Sequence, residues 1–135
     1  MNAELIAEVG RATLDGSLPF PEVVRRLLDT GVESYQVDYV ALQMSYYGAG
    51  GALIKTPLSY ENLPQVAARF DVPALQAAIL DSQQHGQPFR DFSRRAMLAG
   101  VQGYRVFLLG QRVIYWGRLG DQHIEWFPGA GPQPE

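Results

Sequence analysis

The sequence predicts an α+β domain in which two tandem helix-helix-strand-strand-strand repeats form one antiparallel sheet with helices on one face. Two observations support this prediction. The chain matches itself when it is shifted by 69 positions, with 11 identities between residues 19 and 51. In both copies the hydrophobic residues first recur at helical spacing and then alternate with polar residues. A pseudo-twofold axis between the copies is the expected consequence.

Two amphipathic helices are predicted at the start of each copy. The second helix of each copy begins near Phe20 or Phe89 and ends before Gly31 or Gly100. These glycines are expected to follow the helix in the left-handed conformation, which glycine adopts without steric cost. The first helices have an apolar face made of Leu5, Val9 and Ala12 in one copy, and of Leu75, Ala78 and Ile79 in the other.

Alternating residues predict three strands after each pair of helices. Tyr35, Val37 and Tyr39 alternate with polar residues, a period of two with one apolar face. The two copies are expected to differ in length by about one residue near the third strand. The other predicted strands include 104–109, 113–116, 53–55 and 123–126.

The arginine pairs at 25–26 and 94–95 recur in both copies. We expect them to lie on the helix surface, paired with Glu22 and Asp91 at helical spacing. The alternative is one anion site shared by the two copies.

The chain length fits one domain with a hydrophobic core, because one copy alone would have a marginal core. We predict a single domain over residues 1–128, made of two repeats at about 1–58 and 71–128. A connector at 59–70 joins them, with a candidate short helix at 66–70. Residues 129–135 are rich in glycine and proline and are predicted to form a flexible tail.

The composition excludes some kinds of chemistry and disfavours some partners. The formal net charge of −3 disfavours nucleic acid as a partner, and the absence of cysteine excludes disulfides and thiolate sites. Because the sequence has no basic leader and no apolar run of about 20 residues, we expect no membrane association and a cytoplasmic location.

Three segments of the first copy resemble a known family: 20–24 (FPEVV), 31–38 (GVESYQVD) and 46–48 (YYG). This is the uncharacterised YbcV-like family of bacterial and prophage-associated proteins, whose members often carry the label "phage envelope protein". The resemblance covers roughly residues 5–127 and includes the repeat. It implies a compact α+β fold, no assigned activity and at most an association with a mobile element. No catalytic residues follow from it.

Asp121, His123 and Glu125 are the first candidate site, because alternate residues of a strand share one face. A His-x-Glu pair can ligate a metal or act as acid and base. However, Cα atoms two residues apart on a strand are about 6–7 Å apart, and Asp121 is expected in a turn. The alternative interpretation is a solvated polar face. We therefore predict no metal and no cofactor, and keep these residues as candidates.

A second candidate site consists of aromatic residues and a neighbouring arginine. Adjacent aromatics on a strand point to opposite faces, so one of each adjacent pair is expected to be exposed and able to stack on a ligand. The alternative is packing in the core or at a sheet edge. The predicted binding residues are Tyr47, Trp116, Arg118 and Trp126.

The predicted function is a non-enzymatic binding module for an unknown protein or small-molecule ligand, with a cleft between the copies as one possible site. It is expected to be a monomer or homodimer. The alternative is a small metal-dependent or acid/base enzyme that uses His123 and Glu125. A third hypothesis, an accessory structural protein of a prophage, depends only on the family resemblance.

Overall fold

The computed structural model describes residues 1–132, which form four α-helices and a six-stranded antiparallel sheet and so confirm the α+β class. The helices are α1 (Ala3–Asp15), α2 (Phe20–Asp29), α3 (Val72–His85) and α4 (Phe89–Leu98). The strands are β1 (Val32–Asp38), β2 (Gln43–Gly48), β3 (Leu53–Pro57), β4 (Val101–Phe107), β5 (Arg112–Gly117) and β6 (Gln122–Trp126).

The helix ends repeat at the same offset as the sequence. The side chains of Asn2 and Asp71 cap α1 and α3, each accepting a hydrogen bond from the backbone N–H three residues later. Gly31 and Gly100 follow α2 and α4 with φ of 84° and 92°. The predicted left-handed glycines are therefore confirmed.

The buried face of α1 differs from the predicted one. The prediction for Leu5 is wrong: Leu5 is 49% exposed, and Ile6, Val9 and Gly10 are the buried residues. Two apolar stripes overlap on this helix, and spacing alone does not choose between them. On α3, the predicted face of Leu75, Ala78 and Ile79 is buried as expected.

The strand order is β3-β2-β1-β4-β5-β6, so the first strands of the two halves pair at the centre of the sheet. Tyr35 lies opposite Val106, and Val37 lies opposite Tyr104. Shifting each residue by 69 exchanges these two pairs, so the central register is unchanged when the halves are exchanged.

The outer hairpins also keep the offset of 69. Ile54 lies opposite Tyr46 in the first half, and His123 lies opposite Tyr115 in the second. The expected difference of about one residue between the third strands is therefore wrong.

The core lies between the four helices and one face of the sheet. Buried residues of all four helices form one cluster with alternate strand residues such as Tyr35, Val37, Tyr104 and Val106. The intervening residues, including Arg105, point to the opposite face. Within residues 1–132, no helix covers that second face.

The connector runs along the end of α4. The backbone N–H groups of Ala67 and Asp71 donate to the carbonyls of Met97 and Ala99, at 3.0 and 2.8 Å. Because these amides bond to another element, residues 66–70 form no helix, and the prediction of a short helix there is wrong.

The start of the predicted tail contacts the domain. Ala130 N–H donates to the Phe127 carbonyl at 2.9 Å, and Gly131 packs against the Trp126 ring. Residues 133–135 of the predicted tail lie outside the described residues. Among the helices of the described chain, none is long and apolar enough to cross a membrane.

Candidate functional site: a tyrosine-lined cavity

A cavity of about 690 Å³ lies between the helices and the sheet. This volume is within the range of about 300–1,000 Å³ that is usual for small-molecule sites. The end of α1, the start of α2 and the corresponding ends of α3 and α4 form its walls, and both halves of the sheet contribute to its floor.

Four tyrosines lie on the floor of the cavity: Tyr35, Tyr46, Tyr104 and Tyr115. They form two pairs related by the offset of 69 residues. The ring centroids are 5.7 Å apart for Tyr35 and Tyr46, and 5.1 Å apart for Tyr104 and Tyr115. Burial raises the pKa of all four hydroxyls, which therefore stay neutral at physiological pH.

Two of these hydroxyls are available to a ligand. Within residues 1–132, the hydroxyls of Tyr35 and Tyr115 bond to no other side chain. Every fully buried side-chain polar atom in that range has a hydrogen-bond partner, so these two hydroxyls are not fully buried. These hydroxyls therefore open to the cavity, where a ligand or water can bond to them. The apolar floor with a few polar groups is typical of ligand sites.

Glu125 lies at one end of this cavity, with His123 beside it. Both residues project from β6 on the helix-facing side, next to Tyr115 and Val113 of the neighbouring strand. His123 Nε2 is 3.2 Å from Glu125 Oε1, and the two side chains are 14% and 33% exposed. His123 is thus partly buried beside Glu125.

Asp121 is not part of this pair. It precedes β6 and is exposed, as expected for a turn residue. In the described part of the chain, no three His, Asp or Glu side chains are grouped so that they could hold a metal. The structure thus joins two of the three candidate ligands, whereas Asp121 lies in the turn before β6.

The predicted aromatic binding residues do not meet in one place. Tyr47 and Trp116 lie on the sheet face away from the helices, on strands separated by the central pair. The Arg105 guanidinium stacks over Tyr47 at 4.1 Å, and Trp116 packs against Gly103. These two rings therefore cover the backbone and side chains of the sheet.

The two remaining predicted binding residues lie near the second edge of the sheet. Arg112 stacks over Trp126 at 4.4 Å from the ring centroid. Arg118 donates to the Val66 carbonyl at 3.4 Å and so contacts the connector. All four residues have partners within the chain, and of the four only Trp126 lines the cavity.

The cavity tyrosines are a site that the sequence alone does not identify, because alternation places Tyr35 and Tyr104 only on strand faces. One signal could have identified them. A buried apolar face usually carries phenylalanine or an aliphatic residue, yet tyrosine occurs at the same two repeat positions in both copies.

A family model described as "Protein of unknown function (DUF1398)" matches residues 14–124. Because the match covers most of the chain, the protein belongs to this family, and the expectation of an uncharacterised domain family is confirmed. A search of curated proteins finds no match to the chain. The family match assigns no activity.

Proposed function

We propose that this member of the DUF1398 family is a non-enzymatic binding module whose small-molecule ligand occupies the tyrosine-lined cavity. The observation that supports this is a cavity of about 690 Å³ inside a domain of only 135 residues. The cavity is partly open to solvent, so a ligand can enter it, and its volume and mainly apolar lining are typical of small-molecule sites.

The composition of the lining agrees with a small organic ligand. Tyrosine rings supply flat apolar surface, and their neutral hydroxyls supply a few directional hydrogen bonds. The ends of all four helices surround the cavity, so small movements of those ends would admit a ligand without changing the sheet.

The paired His123 and Glu125 are the residues that an acid/base enzyme would use. We assign them a role in binding, because within the described residues their side chains bond only to each other and the family brings no activity with it. Conversion of a bound ligand that stops in both His123→Ala and Glu125→Gln would instead support the enzyme.

The cellular setting is also a proposal. We propose a cytoplasmic protein and, from the resemblance to YbcV-like proteins, an association with prophages. Fractionation of induced cells tests both: a module should stay in the soluble fraction, whereas a structural phage protein should sediment with particles.

The binding proposal is tested with the uncharged fluorophore N-phenylnaphthylamine and two variants of β5. Val113→Phe places a larger side chain in the cavity, whereas Ile114→Phe makes the same kind of change on the opposite face of the same strand. We expect enhanced fluorescence with the wild type and Ile114→Phe, and none with Val113→Phe. Circular dichroism confirms that each variant is folded.

Equal fluorescence in all three proteins would overturn the proposal, because the dye would then bind outside the cavity. Absence of fluorescence with the wild type would also count against it. If Val113→Phe does not fold, Tyr115→Phe replaces it, since it removes one free hydroxyl and no ring, and is expected to weaken binding of a hydroxyl-bearing aromatic competitor.

A further inference from the structure

The two ends of the cavity are built from equivalent positions but packed differently. In the first half, α1 packs against β3, where a Cβ on Gly10 would be 3.1 Å from Thr56 Oγ1. The position equivalent to Gly10 in α3 is Ile79. Within the described chain, α3 makes no comparable contact with β6.

At the matching positions of the third strands, only the second half has a carboxylate. Thr56 is buried in the first half and approaches the Tyr46 hydroxyl at 3.4 Å. Its equivalent is Glu125, which lines the cavity beside Tyr115. Glu125 is half-buried at this position, whereas Thr56 is buried.

The charge of the lining has one sign. The charged residues that line the cavity are Asp15 and Glu125, and among the described lining residues none is Lys, Arg or His. Asp15 is exposed and its carboxylate accepts a hydrogen bond from Ser17 N–H at 2.9 Å. Glu125 is therefore the carboxylate best placed to interact with a ligand.

His123 contacts this carboxylate, and its Nε2 lies 3.2 Å from Glu125 Oε1. Burial is the main cause that raises the pKa of Tyr115, followed by Tyr39, Tyr35 and, last, the Glu125 carboxylate.

Aromatic rings around this carboxylate favour the same kind of ligand. The face of a tyrosine ring is electrostatically negative and attracts cations. Tyr115 lies diagonally across from Glu125 on the neighbouring strand, and Phe20 and Phe127, which also line the cavity, pack edge to face at 5.4 Å. An anionic ligand would meet like charge here and would lose its hydration without gaining a partner.

We infer that the ligand is a hydrophobic organic cation, whose apolar body lies over the tyrosines and whose positive group lies against Glu125. This inference depends on the proposed function, and it adds the chemical class of the ligand. Glu125 is the binding residue in this scheme.

Three compounds with the same ring system test the charge: naphthylmethylamine, naphthylmethanol and naphthoate. Isothermal titration calorimetry measures each against the wild type, Glu125→Gln and the control Asp121→Asn, which removes an exposed carboxylate outside the cavity. In the wild type we expect the amine to bind at least about tenfold more tightly than the alcohol, and the carboxylate most weakly.

The variants separate the inference from the proposed function. Glu125→Gln should reduce the affinity for the amine to that for the alcohol and leave the alcohol unchanged, whereas Asp121→Asn should change neither. Equal binding of all three compounds, or an amine preference that survives in Glu125→Gln, would overturn the cation inference while the cavity remains a binding site. Failure of all three to bind would also overturn it, and the uncharged fluorophore then decides the proposed function.

Discussion

The two halves of the chain share a backbone plan, yet their third strands are packed differently. Gly10 allows α1 to lie close to β3. The equivalent residue of α3 is Ile79, α3 makes no comparable contact with β6 among residues 1–132, and Glu125 of β6 lines the cavity. The strand register, helix caps and turn glycines repeat, because they depend on the backbone. The side chains that differ place a carboxylate in the cavity lining at this strand position in the second half only.

The repeated arginines also differ in their partners. Glu22 accepts hydrogen bonds from both Arg25 and Arg26, as predicted for the first half. In the second half the predicted pairing with Asp91 is wrong, because Arg95 donates to Asp81 of α3 at 2.5 Å. The equivalent arginines thus differ: Arg26 pairs within its own helix, whereas Arg95 pairs with a residue of another helix.

The largest expected difference between the halves concerns the two left-handed glycines. A Cβ added at Gly31 would meet only open space, so Gly31→Ala should cost about 1–2 kcal/mol for its conformation alone. At Gly100 a Cβ would overlap the Arg69 carbonyl of the connector. Gly100→Ala should therefore cost about 3 kcal/mol or more. Urea unfolding of both variants measures this, and equal costs would disprove the close approach of the connector.

A smaller effect is expected at a buried hydrogen bond that has no counterpart in the other half. The Tyr39 hydroxyl donates to Ser93 Oγ at 2.9 Å, whereas the position equivalent to Tyr39 is Leu108. Tyr39→Phe should cost about 1–3 kcal/mol, because Ser93 is 0% exposed and would lose its partner.

A double-mutant cycle isolates this bond. Tyr39→Phe combined with Ser93→Ala should cost less than the sum of the two single changes, since neither partner is then left unsatisfied. Additive costs in thermal unfolding would mean that the two hydroxyls do not interact.

The smallest effect is expected at the exposed pairs of Glu22. Hydrogen bonds from Arg25 and then Arg26 lower the pKa of Glu22 to about 2 from 4.5. The contribution of ionised Glu22 to folding stability is therefore fully present above pH 4.5 and is lost as the pH falls towards 2. Glu22→Gln should slightly lower the melting temperature at neutral pH, and added salt should reduce the difference. A difference that is unchanged at pH 2 would contradict this assignment.

Much of the fold could be predicted from the sequence, but the site could not. The offset of 69 residues and the alternating strands predicted the order of elements, and Gly31 and Gly100 indicated the helix ends. His123 and Glu125 were identified as neighbours on a strand face. Their position at a cavity could not be predicted, because it depends on how closely α3 approaches β6.

The sequence by itself determined the features that depend on near neighbours or on the repeat: helix caps, strand alternation and the α+β class. Only the tertiary structure decided which face of α1 is buried, that the connector lies along α4, and that four tyrosines lie on the floor of a cavity. The physical reason is that caps and alternation are set by local backbone geometry, whereas burial and cavities are set by distances between elements far apart in the chain.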